Sequence, residues 1–488
     1  MRAEIDAFLE ALERAEWLAL SGRAESAGVE AIYDRHAGLF DADAFHAVEP
    51  PAGDSRADLR RAHLREFLAE GIEGHRTRDL RDAYLAAEGA AVVEVDGEQI
   101  PYRRMPVRIR QESDRRARIA LDEARVEAIE AKLNPINLDM TLRRHEVAAE
   151  LLDTDYDDYS ERLSGIDFDA LEGTTEGLLE ESASRYDDLL AYFGRRGLPG
   201  VDLREIWTHD LARLFHGEEY AELFPADAME RSVERMVSAM GIDLTAGGRI
   251  EIDVEERAAK TPRAFCAPIR VPDEVKLVLQ PYGGHDDWST FLHELGHALH
   301  FAHVDPAQPL EFRRMGDNGV TEGWAMTFDH LMMVPAFLRR IVRIQDPEAY
   351  LRFAAFRELA ALRRYAAKFA YERSLHRNGP SPARAAEYVE RLTAATRSRA
   401  PEGLWLEDVD AHYYCIRYLR AWMFAGAVHA ALRERFDEDW FLNPRSGAFL
   451  LELWSLGQEG RVEDLAREHL GISRLDFGPL MEMIDERI

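Results

Sequence analysis

The stretch Phe291-Leu292-His293-Glu294-Leu295-Gly296-His297-Ala298-Leu299-His300 decides how the rest of the chain is read. Its apolar residues Phe291, Leu292, Leu295, Ala298 and Leu299 recur three and four apart, the period of a helix with one buried face. Residues four apart share a helical face, so His293 and His297 can aim imidazole nitrogens at a common point. Zinc accepts two such nitrogens at about 2.0–2.1 Å, then needs a third protein ligand and keeps one position for water. Glu294, next to His293, is placed to take a proton from that water.

With 17 histidines in 488 residues, His-Glu-x-x-His alone arises by chance in about one such chain in twenty, so the third ligand matters. His303 would complete the three-histidine set of metzincins, which break the helix at a glycine three residues after the second histidine. Here that position is His300, which enters a left-handed turn less readily than glycine. His300 itself lies seven residues from His293, about 10 Å along one helix, too far to share an ion. The other candidate is Glu322. Gly316-Asp317-Asn318-Gly319 signals a turn, and the helix expected from Val320 carries Trp324, Met326 and Phe328. A carboxylate near the start of so apolar a helix needs a partner, and a metal ion supplies one. We take His293, His297 and Glu322 as the ligand set. Asp329, seven residues beyond Glu322, is suited to hydrogen-bond a ligating histidine.

Working outward, residues 1–90 show helical periodicity, as in Phe8, Leu9, Leu12 and Trp17. Between 91 and 109 two short extended runs flank Asp96-Gly97 and predict a hairpin. Helical patterns resume from 114 to 240, extended segments return between 249 and 280, and from 286 onward nearly everything reads as helix. No internal repeat and no Ser/Gly linker interrupts the chain. The expectation is a mainly α protein: a helical part over 1–240 with the hairpin, and a part over 241–488 with the His-Glu-x-x-His helix and a small sheet beside it. The two form one integrated body, or two lobes.

Composition narrows the function. A formal charge of -30 argues against nucleic acid, since no basic stripe could neutralise phosphates. The longest strongly apolar run, Ala421 to Leu432, is far too short to span a bilayer. The N-terminal residues lack a secretory pattern, and two cysteines, Cys266 and Cys415, imply no disulfide framework and read as packing residues. A cytoplasmic location is expected.

The run from Pro281 to His300 resembles the thimet oligopeptidase and oligoendopeptidase F family of zinc peptidases, the gluzincins, whose core reads H-E-x-G-H-x-x-H with a ligand glutamate on the next helix. Glu322 follows His293 by 29 positions, the spacing expected there. Phe265-Cys266-Ala267-Pro268 and the segment Val275 to Gln280 look like the family's residues before the metal helix. Ala411-His412-Tyr413-Tyr414-Cys415-Ile416-Arg417-Tyr418 resembles the H-F-Y-x-x-F-Y run of the oligoendopeptidase F branch. The resemblance is specific from about 262 to 434.

It implies a large helical fold in two lobes around a cleft, one zinc per chain on His293, His297 and Glu322, and Glu294 as general base. It gives His412 and Tyr418, with Tyr414 less directly, the task of stabilising the oxyanion, and short peptides as substrates. His412 and Tyr418 are six apart, so they share no helical face unless a helix begins between them. Val275 to Gln280 is expected to pair with an extended peptide by edge-strand addition. Two departures stand out: the chain is shorter than most of the family, and its glycine-rich loop is reduced to Pro401-Glu402-Gly403. Ile416-Arg417-Tyr418 and Phe312-Arg313-Arg314 also resemble angiotensin-converting enzymes, related gluzincins that release C-terminal dipeptides; a chloride-linked role for Arg417 follows only from that second likeness. The alternatives to internal peptide cleavage are thus a peptidyl-dipeptidase or carboxypeptidase of that type, and a zinc- or peptide-binding homologue without catalysis.

Overall fold

Apolar residues at helical spacing dominate the chain, and the computed structural model accordingly is 69% helix and 5% strand, a mainly α architecture with small sheets. It describes residues 1–257, 259–261 and 263–488. Among the described residues no helix is long and apolar enough to cross a membrane.

The expected hairpin forms from β1 (Val92–Val95) and β2 (Glu98–Pro101). Asp96 and Gly97 have φ of 52° and 84°, the paired positive values of a tight turn that matches strand twist. Its extended part ends sooner than expected. From Tyr102 the chain is helical, through Tyr102–Arg104 and Met105–Gln111, because Met105 and Ile109, four apart, bury one helical face.

The second sheet contains β3 (Ile250–Asp253), β4 (Phe265–Arg270) and β5 (Glu274–Val278) in the order β3-β5-β4, with β5 parallel to β3 and antiparallel to β4. β5 is therefore the central strand. This corrects the expectation that Val275 to Gln280 offers an edge to a peptide, since both of its edges are taken. Its residues show why: Val275, Leu277, Val278 and Leu279 are all buried, so the strand is covered on both faces. The helix His285–Ala302, hereafter the histidine helix, packs against β4 and β5.

The chain divides into two compact units, one made of 1–68, 218–355 and 417–488, the other of 69–217 and 356–416. These are interleaved along the sequence and do not coincide with 1–240 and 241–488. Three of the four crossings fall inside continuous helices, Arg56–Ala90, Glu348–Asn378 and Tyr414–Phe436. The first unit holds the three-stranded sheet and the histidine helix. The second holds the hairpin and an apolar cluster around Tyr371, Leu375, Tyr388, Leu392, Trp405 and Leu406.

The second unit also buries charge. Lys368 Nζ lies 2.9 Å from Asp410 Oδ1 and 3.3 Å from Glu372 Oε1, and Arg364 pairs with Asp408. Two cations thus face three carboxylates, and Glu372 is fully buried and accepts from the Cys415 thiol. Burial, opposed by Lys368 and reinforced by Asp410, pushes the Glu372 carboxyl up to about 7. A group whose folded pKa is raised stabilises most below its unfolded value, near 4.5, and loses that contribution as pH rises through 7. Denaturant unfolding should therefore show wild-type stability falling by about 3 kcal/mol over that interval, and Glu372→Gln should flatten that part of the curve.

Candidate metal centre

Two helices of the first unit build the site. The histidine helix carries His293, Glu294 and His297, and the helix Asn318–Asp329, hereafter the glutamate helix, carries Glu322. The turn signal at 316–319 is realised as a cap: Asp317 accepts from the Gly319 N–H at 2.9 Å, satisfying a donor at the helix start. Arg420 grips Asp317 at both oxygens, 3.0 and 2.8 Å. Burial raises the Asp317 carboxyl, but Arg420 prevails and holds it down at about 2. Removing one partner of such a buried pair costs about 3–5 kcal/mol. Asp317→Ala should lose that much in urea unfolding at pH 7. The pair's contribution is complete above 3.8 and disappears as pH falls towards 2.

His293, His297 and Glu322 each present one ligand atom, and these lie within 4.8 Å of one another. Glu322 Oε2 is 3.4 Å from His293 Nε2 and 3.6 Å from His297 Nε2. The other ring nitrogens are committed elsewhere. His293 Nδ1 donates to Asp329 Oδ2 at 2.8 Å, and His297 Nδ1 is hydrogen-bonded to the Thr321 hydroxyl at 2.8 Å. In both rings it is Nε2 that faces the carboxylate, the nitrogen a metal ion would take. The two rings stand 4.9 Å apart and nearly perpendicular, at 85°.

Distances of 3.4 and 3.6 Å are long for hydrogen bonds, which cluster at about 2.7–3.2 Å. A tetrahedral ion with bonds of about 2.0–2.1 Å places its ligand atoms about 3.3–3.4 Å apart. The residues present fit such an ion. Two imidazoles and one carboxylate are also the donor set of open zinc sites. The local electrostatics agree. Burial disfavours charge on both His293 and Glu322, yet His293 is held well above its ordinary range by Asp329 and Glu322, and Glu322 below the usual carboxylate range by His297 and His293. The pocket attracts positive charge.

Neither His300 nor His303 joins the convergent group. His300 is fully buried, and burial pushes it down to about 3. His303 follows the last residue of the histidine helix, and its Nδ1 donates to the Leu299 carbonyl at 2.8 Å, serving one of the helix's last acceptors.

Glu294 is half-buried. Burial first, then the charges of Glu294 and Glu13, raise the Cys266 thiol on β4 well above its ordinary value. Tyr418 lies in the first unit, half-buried, its ring 6.3 Å from that of Trp422. The neighbouring Arg417 is buried and paired with Glu66 at 3.1 Å. His412 belongs to the second unit. A helix begins at Tyr414, between His412 and Tyr418.

The sequence reading missed Thr321. Its only signal is a hydroxyl directly before the ligand glutamate, in a helix rich in apolar residues. A second group of candidate ligands, Glu372, Asp410 and Cys415, is already served by the Lys368 ammonium. Comparison with protein-family models finds no match and comparison with curated proteins finds none, so the chemistry of the site is argued from its geometry.

Proposed function

We propose that the chain is a zinc-dependent peptidase that cleaves internal bonds of short peptides. The observation that carries this reading is the placing of three donor atoms at ion-sharing distances, with both histidines oriented by partners on the glutamate helix.

His293, His297 and Glu322 would hold the ion. When bound, zinc polarises a carbonyl and lowers the pKa of a coordinated water to about 7. Glu294 takes the proton from the attacking water and delivers it to the leaving amine, so that water's hydroxyl ends on the new carboxyl group and both its protons are accounted for. The family resemblance assigns Tyr418 and His412 the task of donating to the carbonyl oxygen as it gains negative charge. With β5 central, only β3 and β4 have an edge to which an extended peptide could add. Short peptides as substrates, and the preference for internal cleavage over dipeptide release, follow from the resemblance alone.

The test is metal analysis of purified chain with cleavage of a randomised peptide pool, products mapped by mass spectrometry. About one zinc per chain is expected, with cleavage that stops on chelation and returns on adding zinc. A metal-free, inactive chain under zinc-replete conditions would defeat the reading, and products confined to C-terminal dipeptides would replace internal cleavage with dipeptide release.

A further inference from the structure

One helix face in the second unit carries more unpaired negative charge than folding alone favours. The helix Arg115–Ala128 and the turn Ile129–Leu133 that continues it hold Glu123, Glu127 and Glu130, three and four apart and so on one face. Like charges at this spacing repel. Asp122 beside them is paired with Arg125 at 3.1 Å, but Glu123, Glu127 and Glu130 have no salt-bridge partner among the described residues. The loop Pro401-Glu402-Gly403 comes so close to this face that a Cβ on Gly403 would lie 2.6 Å from Glu130 Cγ. It brings a fourth unpaired carboxylate, Glu402.

These residues border a cavity of about 450 Å³ that lies wholly within the second unit. Trp207 and His209 complete its lining. Their rings are 7° from parallel, and the Arg399 guanidinium stands 4.7 Å from the Trp207 ring and holds it in place. His209 is only 4% exposed. Its Nδ1 makes no hydrogen bond, lying 3.4 Å from Asp210 Oδ1. Arg115 and Arg118 grip Asp210 at 3.0 and 2.8 Å, so this carboxylate is ionised and keeps the ring proton on Nδ1. Asp210 does not line the cavity, which makes Nε2, with its lone pair, the atom that His209 offers there. Among the described residues nothing bonds to Nε2. A buried imidazole with an unused acceptor, beside unpaired carboxylates, calls for a donor that carries positive charge.

The layout of the charge says which cation. None of these carboxylates belongs to a group of side chains close enough to share a metal ion. Along the helix axis Glu123 and Glu127 are about 6 Å apart, and Glu127 and Glu130 about 4.5 Å. A chain of ammonium groups three or four methylenes apart repeats on that scale, and Ile119, Val126 and Trp207 offer its methylenes apolar contact. The geometry points to a binding site for a linear aliphatic polyamine, whose ammonium groups donate to Glu123, Glu127, Glu130 and Glu402 and to His209 Nε2. The site is independent of the peptidase reading.

The experiment is calorimetric titration of the full chain with spermidine, in buffer holding excess magnesium chloride. That excess matters because a net charge of -30 attracts any cation diffusely. One saturable site per chain is expected, with an unfolding temperature that rises as it fills. Glu123→Gln/Glu127→Gln/Glu130→Gln should weaken binding by about 30–100-fold, at about three- to five-fold per carboxylate. Its ligand-free form should be at least as stable as wild type, because the repulsion is gone. Glu176→Gln/Glu180→Gln/Glu181→Gln makes an equal charge change on exposed residues of the helix Phe168–Glu181, outside the cavity, and should bind as wild type does. His209→Phe keeps a ring but removes the acceptor, and should weaken binding about five-fold. Heat without saturation, or equal losses in the two triple variants, would reduce the effect to diffuse attraction and overturn the inference. An unchanged affinity in His209→Phe would put the ligand outside the cavity and overturn it too. A lysine-rich peptide that saturates the chain where spermidine does not would give these carboxylates to a basic polypeptide and remove the polyamine.

Discussion

Glu294→Gln is expected to retain about one zinc per chain and to hydrolyse peptides about 10²–10⁴-fold more slowly, the usual contribution of a general base. The convergent atoms belong to His293, His297 and Glu322, so the substitution leaves the ligand set intact. Glutamine matches glutamate in size and can still hydrogen-bond a water, but it cannot take the proton. The loss should therefore appear in kcat, with zinc content and unfolding temperature near wild type. Elemental analysis and turnover of a fluorogenic peptide measure the two halves separately. Full activity in the variant would remove Glu294 from the chemistry. Loss of zinc along with activity would give it a structural part in the site instead.

The residues of this site that could be read from sequence are those tied together by helix geometry. His293 and His297 are one turn apart, and Asp329 is two turns from Glu322; these spacings survive whatever the rest of the chain does. Glu322 could be inferred because a carboxylate in an apolar helix needs a partner. Features that depend on distant pairing were not visible. β5 reads as an alternating strand, yet its burial on both faces makes it central, and that depends on where β3 and β4 dock. Thr321 serves His297 across two helices that no spacing rule connects. Glu73 meets His412 across more than 300 residues of chain. The compact units escaped for a related reason: three of their four boundaries lie inside long helices, where no change of composition marks a crossing.

His300 and His303 show the limit from the other side. Both fall close to a ligand pattern in sequence, and both turn out to have local explanations, one as a buried neutral ring and the other as a partner for a helix-terminal carbonyl. A histidine count near a motif is weak evidence. The engagement of Nδ1 in His293 and His297, which turns Nε2 of both towards Glu322, is stronger evidence because it concerns the atom that would bind.

Gly296→Ala should lower both stability and zinc affinity, against the trend that helix propensity sets. In a helix interior alanine is favoured over glycine by about 1 kcal/mol. At Gly296, however, an added Cβ would lie 2.6 Å from Ala325 Cα and 2.6 Å from the Trp324 carbonyl oxygen. Both are main-chain atoms of the glutamate helix and cannot rotate aside, so the two helices would have to part. Overpacking of this kind costs about 1–3 kcal/mol or more, which exceeds the propensity gain. Ala325 is three residues from Glu322, and Gly296 adjoins His297, so any parting acts directly on the 3.4 and 3.6 Å separations that bring the donors together. Zinc affinity should fall by about ten-fold or more, read by competition with a chelator, with a lower unfolding temperature of the metal-free chain. Gly173→Ala is the control. That glycine lies inside the helix Phe168–Glu181 with nothing within 4 Å of an added Cβ, and the same substitution there should stabilise the chain slightly and leave zinc binding alone. If Gly296→Ala behaves like Gly173→Ala, the close approach of the two helices is not what holds the ligands in register.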